Sequence, residues 1–158
     1  MVAYATVPTL TGFVAKKEMK YIPFLSTWMR YLNCLFLDRD NIREGLKTIL
    51  EGVELAKKGY SVYIAPEGTR NHKKEMLPFK EGSLKIAEKS GCAVIPVSLS
   101  NTDEVFENHF PWVRRTHVII EFGKPINPKE LDKEQQKHLG AYVQNIIRET
   151  LEKNESLV

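Results

Sequence analysis

The stretch Ser61-Val62-Tyr63-Ile64-Ala65-Pro66-Glu67-Gly68-Thr69-Arg70-Asn71 decides how the rest of the chain is read. An apolar, β-branched run gives way at Pro66 to an acid, a glycine, a hydroxyl, a cation and an amide in succession. A run of that kind ahead of a Pro/Gly breaker predicts a buried strand, Ser61–Ala65, that stops where a polar loop begins. In open α/β sheets, ligands bind in crevices outside the carboxyl ends of strands. The loop therefore sits where a site is expected. Gly68 lets the backbone turn tightly or approach a ligand, and Arg70 offers a planar fork of donors that fits a phosphate or carboxylate. From these residues alone, a solvated turn closed by an internal Arg–Glu pair is the plainer reading.

Upstream, Thr11–Ala15 is a short strand that runs into the charge cluster Lys16-Lys17-Glu18. Pro23 suits a first helical turn, and Phe24, Leu25, Trp28, Met29 and Leu32 then recur at helical spacing, which predicts a core stripe. Trp28, Arg30 and Tyr31 would also suit a helix resting at a membrane interface. Asn33–Leu37 is a second strand, ending in Asp38-Arg39-Asp40-Asn41, so Arg39 is another cation at a strand's carboxyl end. Ile42, Leu46, Ile49, Leu50, Val53 and Ala56 mark one face of an amphipathic helix, with Asn41 as N-cap, Glu44 at capping-box spacing and Gly59 as the stop.

Downstream, Leu77-Pro78-Phe79-Lys80 leads into a helix over Gly82–Lys89, terminated by Gly91. Ala93–Leu99 is an apolar strand whose Pro96 points to an edge, a bulge or a strand end. Asn108–Arg115 mixes Phe110, Trp112, Arg114 and Arg115, a partly buried loop or an interaction surface. Val118–Gly123 is a further strand. A helix follows from Pro128, with Leu131, Leu139, Tyr142, Val143, Ile146, Ile147 and Leu151 as its packing face. Helices and short strands alternate throughout, which predicts an α/β layered fold with a mixed, largely parallel central sheet flanked by helices.

The 158 residues, 42% hydrophobic and 27% charged, fit one soluble globular domain with a real core. A net charge of +3 is too mild to argue for nucleic acid and is compatible with an anionic small molecule or membrane surface. Cys34 and Cys92 lie in apolar runs without a CxxC pattern, and read as reduced core residues in a cytosolic compartment. No His/Cys/Asp/Glu cluster has metal-ligand spacing, neither GxGxxG nor GxxxxGK[ST] occurs, and no cofactor is expected. No apolar run approaches the roughly 20 residues of a membrane-spanning helix, and Met1–Pro8 lacks the features of a signal peptide.

Several ordered blocks together resemble the glycerolipid acyltransferases, and in particular bacterial 1-acylglycerol-3-phosphate (lysophosphatidate) acyltransferases. They are Phe36-Leu37-Asp38-Arg39, Pro66-Glu67-Gly68-Thr69-Arg70 and Val94-Ile95-Pro96-Val97. Ala15-Lys16-Lys17-Glu18 followed by Ile22-Pro23-Phe24, and Leu77-Pro78-Phe79-Lys80-Glu81-Gly82, match further stretches of that family. The likeness spans about Gly12 to Pro125. It implies acyl transfer from acyl-CoA or acyl carrier protein to the free hydroxyl of a lysophospholipid, with peripheral contact to the inner face of the cell membrane from the cytoplasm. On this resemblance Arg70 grips the acceptor phosphate, with Arg39 and Lys16 as further ligands. Glu67, Gly68 and Thr69 shape the loop, and Ile95, Pro96 and Val97 line the acyl side.

One block departs. The family's first motif is a His followed five positions later by Asp, the His acting as general base on the acceptor hydroxyl. Five positions after His72, His109, His117 and His138 stand Leu77, Arg114, Phe122 and Val143. The expectation is a single acyltransferase-like domain over residues 1–158, incomplete at its N-terminus and inactive as it stands. The alternative is a non-catalytic phospholipid- or phosphate-ester-binding module of the same fold.

Overall fold

The computed structural model describes residues 5–7, 9–69, 71, 75–80 and 82–157. They fall into two compact units, Tyr4–Cys92 and Ala93–Val158. In the first, β1 (Thr11–Lys16), β2 (Leu35–Leu37) and β3 (Ser61–Tyr63) form a parallel sheet in the order β2-β1-β3. Lys16 pairs in register with Leu37, and Phe13 with Tyr63. Parallel strands need crossover connections. Here α1 (Leu25–Tyr31) joins β1 to β2 and α2 (Ile42–Lys57) joins β2 to β3, while α3 (Lys85–Ser90) follows. The expected α/β class is what the chain adopts.

Both caps of α2 stand where the sequence indicates, but the capping box does not close, since Asn41 N–H donates to Asp38 Oδ1 at 3.2 Å and not to Glu44. Asn41 Oδ1 accepts from the backbone N–H groups of Arg43 and Glu44 at 3.1 and 3.3 Å. At the other end Gly59 N–H donates to Ala56 O and Tyr60 N–H to Leu55 O, the paired bonds of a Schellman stop. Glu44 pairs with Lys47 at 2.6 Å.

The buried face of α2 differs from the expected stripe. Of that stripe Val53 is buried and Ile49 and Ala56 are half-buried, but Ile42, Leu46 and Leu50 are 89, 49 and 47% exposed, and Gly45, Thr48 and Gly52 are buried in their stead. Small residues let the helix backbone come close. A Cβ at Gly52 would run into the Ile86 side chain and lie 2.9 Å from Leu35 Cδ1. The Thr48 hydroxyl, meanwhile, donates to Phe36 O at 3.2 Å. The buried apolar residues of this unit are Met29, Leu35, Val53, Leu84, Ile86 and Ala87.

The expected core stripe on α1 is also corrected, since of its five residues only Met29 is buried. Phe24 holds a left-handed backbone just ahead of the helix (φ 62°) and so falls out of helical phase. It is 89% exposed, and Tyr21, Trp28 and Tyr31 are exposed as well. Helix α3 starts at Lys85, three residues later than expected, because Gly82 stands at φ 81°.

In the second unit β4 (Val97–Ser100) and β5 (Ile119–Phe122) pair antiparallel. Pro96 shortens the expected strand: it has no N–H to give, and only its carbonyl takes part, accepting from Gly123 N–H at 2.8 Å. Val94 and Ile126 form an isolated bridge beyond it. The helix expected from Pro128 is broken into a 3₁₀ turn (Pro128–Glu130), α4 (Lys133–Lys137) and α5 (Leu139–Glu155). Asp132 and Gln135 make a reciprocal capping box that starts α4 afresh. Leu139 and Val143 of α5 are buried, as is Asn154, whose Nδ2 donates to Glu121 Oε2 at 3.0 Å. Cys34 and Cys92 are free and half-buried.

Candidate functional site

Because the three strands of the first unit are parallel, their carboxyl ends share one edge of the sheet. Lys16 is the last residue of β1, Asp38-Arg39 follow β2 directly, and Ile64 to Thr69 follow β3. The candidate residues of three distant sequence segments are thus gathered by topology alone.

The loop after β3 is tightly held. Gly68 N–H donates to Ala65 O at 3.0 Å, a turn with Pro66 at its second position. The returning segment is pinned twice. Lys80 N–H donates to Pro66 O at 2.8 Å, and Leu77 N–H donates to Glu67 Oε2 at 3.2 Å. Glu67 is half-buried and serves as a clamp on the loop, which separates its role from that of the exposed Thr69.

Gly68 holds a left-handed backbone, φ 74°. A Cβ built there would lie 3.3 Å from Arg39 Nη1 and 3.2 Å from Lys80 Cγ. Arg39, which comes from the loop after β2, therefore reaches over the end of β1 to rest against the loop after β3. The guanidinium of Arg39 and the aliphatic stem of Lys80 meet at one point of backbone that carries no side chain. Among the described residues, neither Arg39 nor Lys80 makes an ion pair, and nor does Lys16, which is exposed.

Lys17 has the opposite surroundings. Its Nζ donates to Asp38 Oδ1 at 2.9 Å and to Asp40 Oδ2 at 3.2 Å. Asp38 Oδ1 also accepts from the N–H groups of Asp40 and Asn41 at 3.0 and 3.2 Å. The Lys17 ammonium and these two amides hold the Asp38 carboxyl below its ordinary range, and the carboxylates raise the Lys17 pKa in return. The two residues flanking Arg39 are thereby tied to the end of β1.

Comparison with known proteins fits this arrangement. An acyltransferase family model matches residues 1–100. The chain belongs to the acyltransferase family. It is 34% identical over 140 residues to the 1-acyl-sn-glycerol-3-phosphate acyltransferase of Saccharomyces cerevisiae, covering 87% of this chain and 46% of that protein. With the enzyme of the same name from Escherichia coli it shares 32% over 148 residues, covering 91% and 58%. The crystal structure of the 1-acyl-sn-glycerophosphate (LPA) acyltransferase from Thermotoga maritima matches with a TM-score of 0.78 at 30% identity, over 92% of this chain and 57% of that one. The chain spans about half the length of the curated relatives it matches.

In this acyltransferase chain, Lys16, Arg39, Glu67, Gly68 and Thr69 share one sheet edge. Arg70 and His72 lie outside the described residues. Ile95 is exposed, Pro96 buried and Val97 half-buried at the entry to β4, in the second unit. Sequence reasoning missed the placement of Lys80 and the clamp made by Lys17. For Lys80 the signal was present, since Leu77-Pro78-Phe79-Lys80 is one of the blocks that carry the resemblance. For Lys17 the only hint was an acid-rich segment, Asp38-Arg39-Asp40, one strand away. Among the described residues there is no cluster able to hold a metal ion.

Proposed function

We propose that this chain carries the acceptor-phosphate half of a 1-acylglycerol-3-phosphate acyltransferase site. The observation that carries the reading is the placement of Arg39 against Gly68, at the edge where Lys16 ends β1, with no carboxylate paired to either cation among the described residues. A phosphate monoester brings up to two charges and several acceptor oxygens out of water, and guanidinium and ammonium donors compensate both. Arg70, four residues beyond Pro66 in the same loop, joins Arg39 and Lys16 on that phosphate.

The proposed reaction takes an acyl group from acyl-CoA or acyl carrier protein. The acceptor's free hydroxyl oxygen bonds to the thioester carbonyl carbon, the C–S bond breaks, and the hydroxyl proton leaves with the thiol by way of a general base. The matching base in the resemblance is a His five positions before an Asp, a pattern this sequence does not contain. The 158 residues alone are therefore expected to bind acceptor without turnover. The second reading is a non-catalytic phospholipid- or phosphate-ester-binding module of the same fold.

Peripheral contact with the cytoplasmic face of the membrane belongs to the same proposal. No helix among the described residues is long and apolar enough to cross a membrane. Tyr21, Phe24 and Tyr31 are 79, 89 and 81% exposed. Lys20 and Arg30 lie among them, and no acid occurs between Met19 and Leu37. Aromatic rings interleaved with cations suit an anionic lipid surface.

The test is an acyl-transfer and binding assay with 1-acylglycerol-3-phosphate and acyl-CoA. Phosphate-dependent binding without turnover is expected from this chain. Rapid turnover that is lost on Arg39→Ala would refute the inactivity, and equal binding of the unphosphorylated monoacylglycerol would refute the phosphate site.

A further inference from the structure

We propose that Lys80 is a further ligand of the acceptor phosphate, reaching it across Gly68 from the side opposite in sequence to Arg39. The inference rests on the phosphate-site reading above and names a residue that reading does not include.

The geometry comes from three observations. Lys80 is anchored through its backbone, which donates to Pro66 O at 2.8 Å, so the position of its Cα is set by the loop itself. Its side-chain stem passes Gly68, with Cγ 3.2 Å from where a Cβ would stand, and Arg39 Nη1 bounds the same space at 3.3 Å. Lys80 is exposed and, like Lys16, Lys20 and Lys58, meets no carboxylate among the described residues.

The Arg39 guanidinium and the Lys80 stem face the same space beside Gly68, and two cations brought together there would each raise the energy of the other's charge. An anion between them reverses the sign of that term. A phosphate monoester has three terminal oxygens, more acceptor capacity than one guanidinium fork fills. Arg39 supplies the rigid fork, and Lys80 supplies a point charge on a flexible stem that can follow the remaining oxygen. Gly68 makes the convergence possible, since any side chain there would occupy the space that the two cations bound. The backbone bond to Pro66 does not depend on the side chain, so replacing Lys80 removes the charge and leaves the loop closed.

Isothermal titration of the whole chain with a short-chain 1-acylglycerol-3-phosphate, and with the monoacylglycerol of the same chain length, tests this. Lys80→Gln is expected to weaken binding of the phosphorylated lipid about tenfold. It should leave the monoacylglycerol unaffected, and Lys80→Arg should restore most of the loss. Lys124→Gln, which removes a cation of the second unit, is expected to bind as the unaltered chain does. If Lys80→Gln binds the phosphorylated lipid as tightly as the unaltered chain, the role of Lys80 is overturned and the Arg39 site stands. If Lys80→Gln and Lys124→Gln lose equally, general charge attraction replaces a specific ligand. If the unaltered chain does not distinguish the two lipids, the phosphate site itself falls, and Lys80 with it.

Discussion

Lys17 and Lys80 lie near the same sheet edge and keep opposite company. Lys17 is neutralised twice, by Asp38 and by Asp40, and the bonds that neutralise it also fix the backbone on both sides of Arg39. Lys80 closes with Arg39 on a glycine and has no carboxylate among the described residues. A cation whose work is structural carries its counter-ion within the fold. On the proposed reading the counter-ion of Lys80 is a ligand, and a backbone bond to Pro66 holds the residue in place. The first region thus builds the platform on which the second presents its charge.

The largest break in that comparison comes from Gly68→Val. A β-branched residue in left-handed backbone costs about 1–2 kcal/mol, and its side chain would enter the space between Arg39 and Lys80. Calorimetry should show lower thermal stability together with loss of phosphate-dependent lipid binding. A variant that binds normally would remove Gly68 from the site. Next, Arg39→Ala should weaken lysophosphatidate binding by about tenfold to a hundredfold while leaving thermal unfolding unchanged, as expected for an exposed side chain that makes no ion pair among the described residues.

Replacing Lys17 sharpens the contrast, because its effect on binding is indirect. Lys17→Met should lower lysophosphatidate affinity by only about threefold, through freer motion of the Asp38-Arg39-Asp40 loop, and should lower stability in a pH-dependent way. The Asp38 pKa is depressed, so its contribution is present above the ordinary value of 3.8 and fades as pH falls through the folded-state value. The Lys17 pKa is raised, so its contribution is present below 10.5 and fades as pH rises through the folded-state value. Thermal unfolding of the unaltered chain and of Lys17→Met should therefore differ across the window between those two pH values and converge in strong acid. A gap that persists once the pH lies below the folded-state value of Asp38 would mean that Lys17 stabilises by packing and not by its ion pairs. The smallest effect is expected at α1, where Phe24→Ser should reduce flotation with anionic liposomes without altering phosphate recognition. Unchanged flotation would place membrane contact elsewhere, with Trp112 as the next residue to replace.

Much of the parallel sheet was legible. Short apolar runs ahead of Lys16, Asp38 and Pro66 mark the three strands, and the topology that gathers their carboxyl ends follows from the alternation with helices. Asn41 and Gly59 mark both ends of α2 because caps are local chemistry. What was not legible depends on close approach. Gly52 turns the small-residue face of α2 inward, leaving Ile42, Leu46 and Leu50 outside, and no periodicity of apolar residues reveals that. Phe24 leaves the stripe of α1 through one backbone angle. Lys16 and Lys17 look interchangeable in sequence, and only the register of β1 against β2 sets the second beside Asp38. Lys80 is ten residues beyond Arg70, and its return to Pro66 rests on a backbone bond that side-chain chemistry does not encode.

The most direct measurement is a titration of the ¹⁵N-labelled chain with glycerol 3-phosphate, followed by amide chemical shifts. The expected result is that the largest shifts fall on Arg39 and on Glu67 to Thr69, with Lys80 following, while Asn101 to Thr116 stay still. Shifts spread over the exposed lysines of both units, or none at Arg39 and Gly68, would contradict an anion site at this sheet edge.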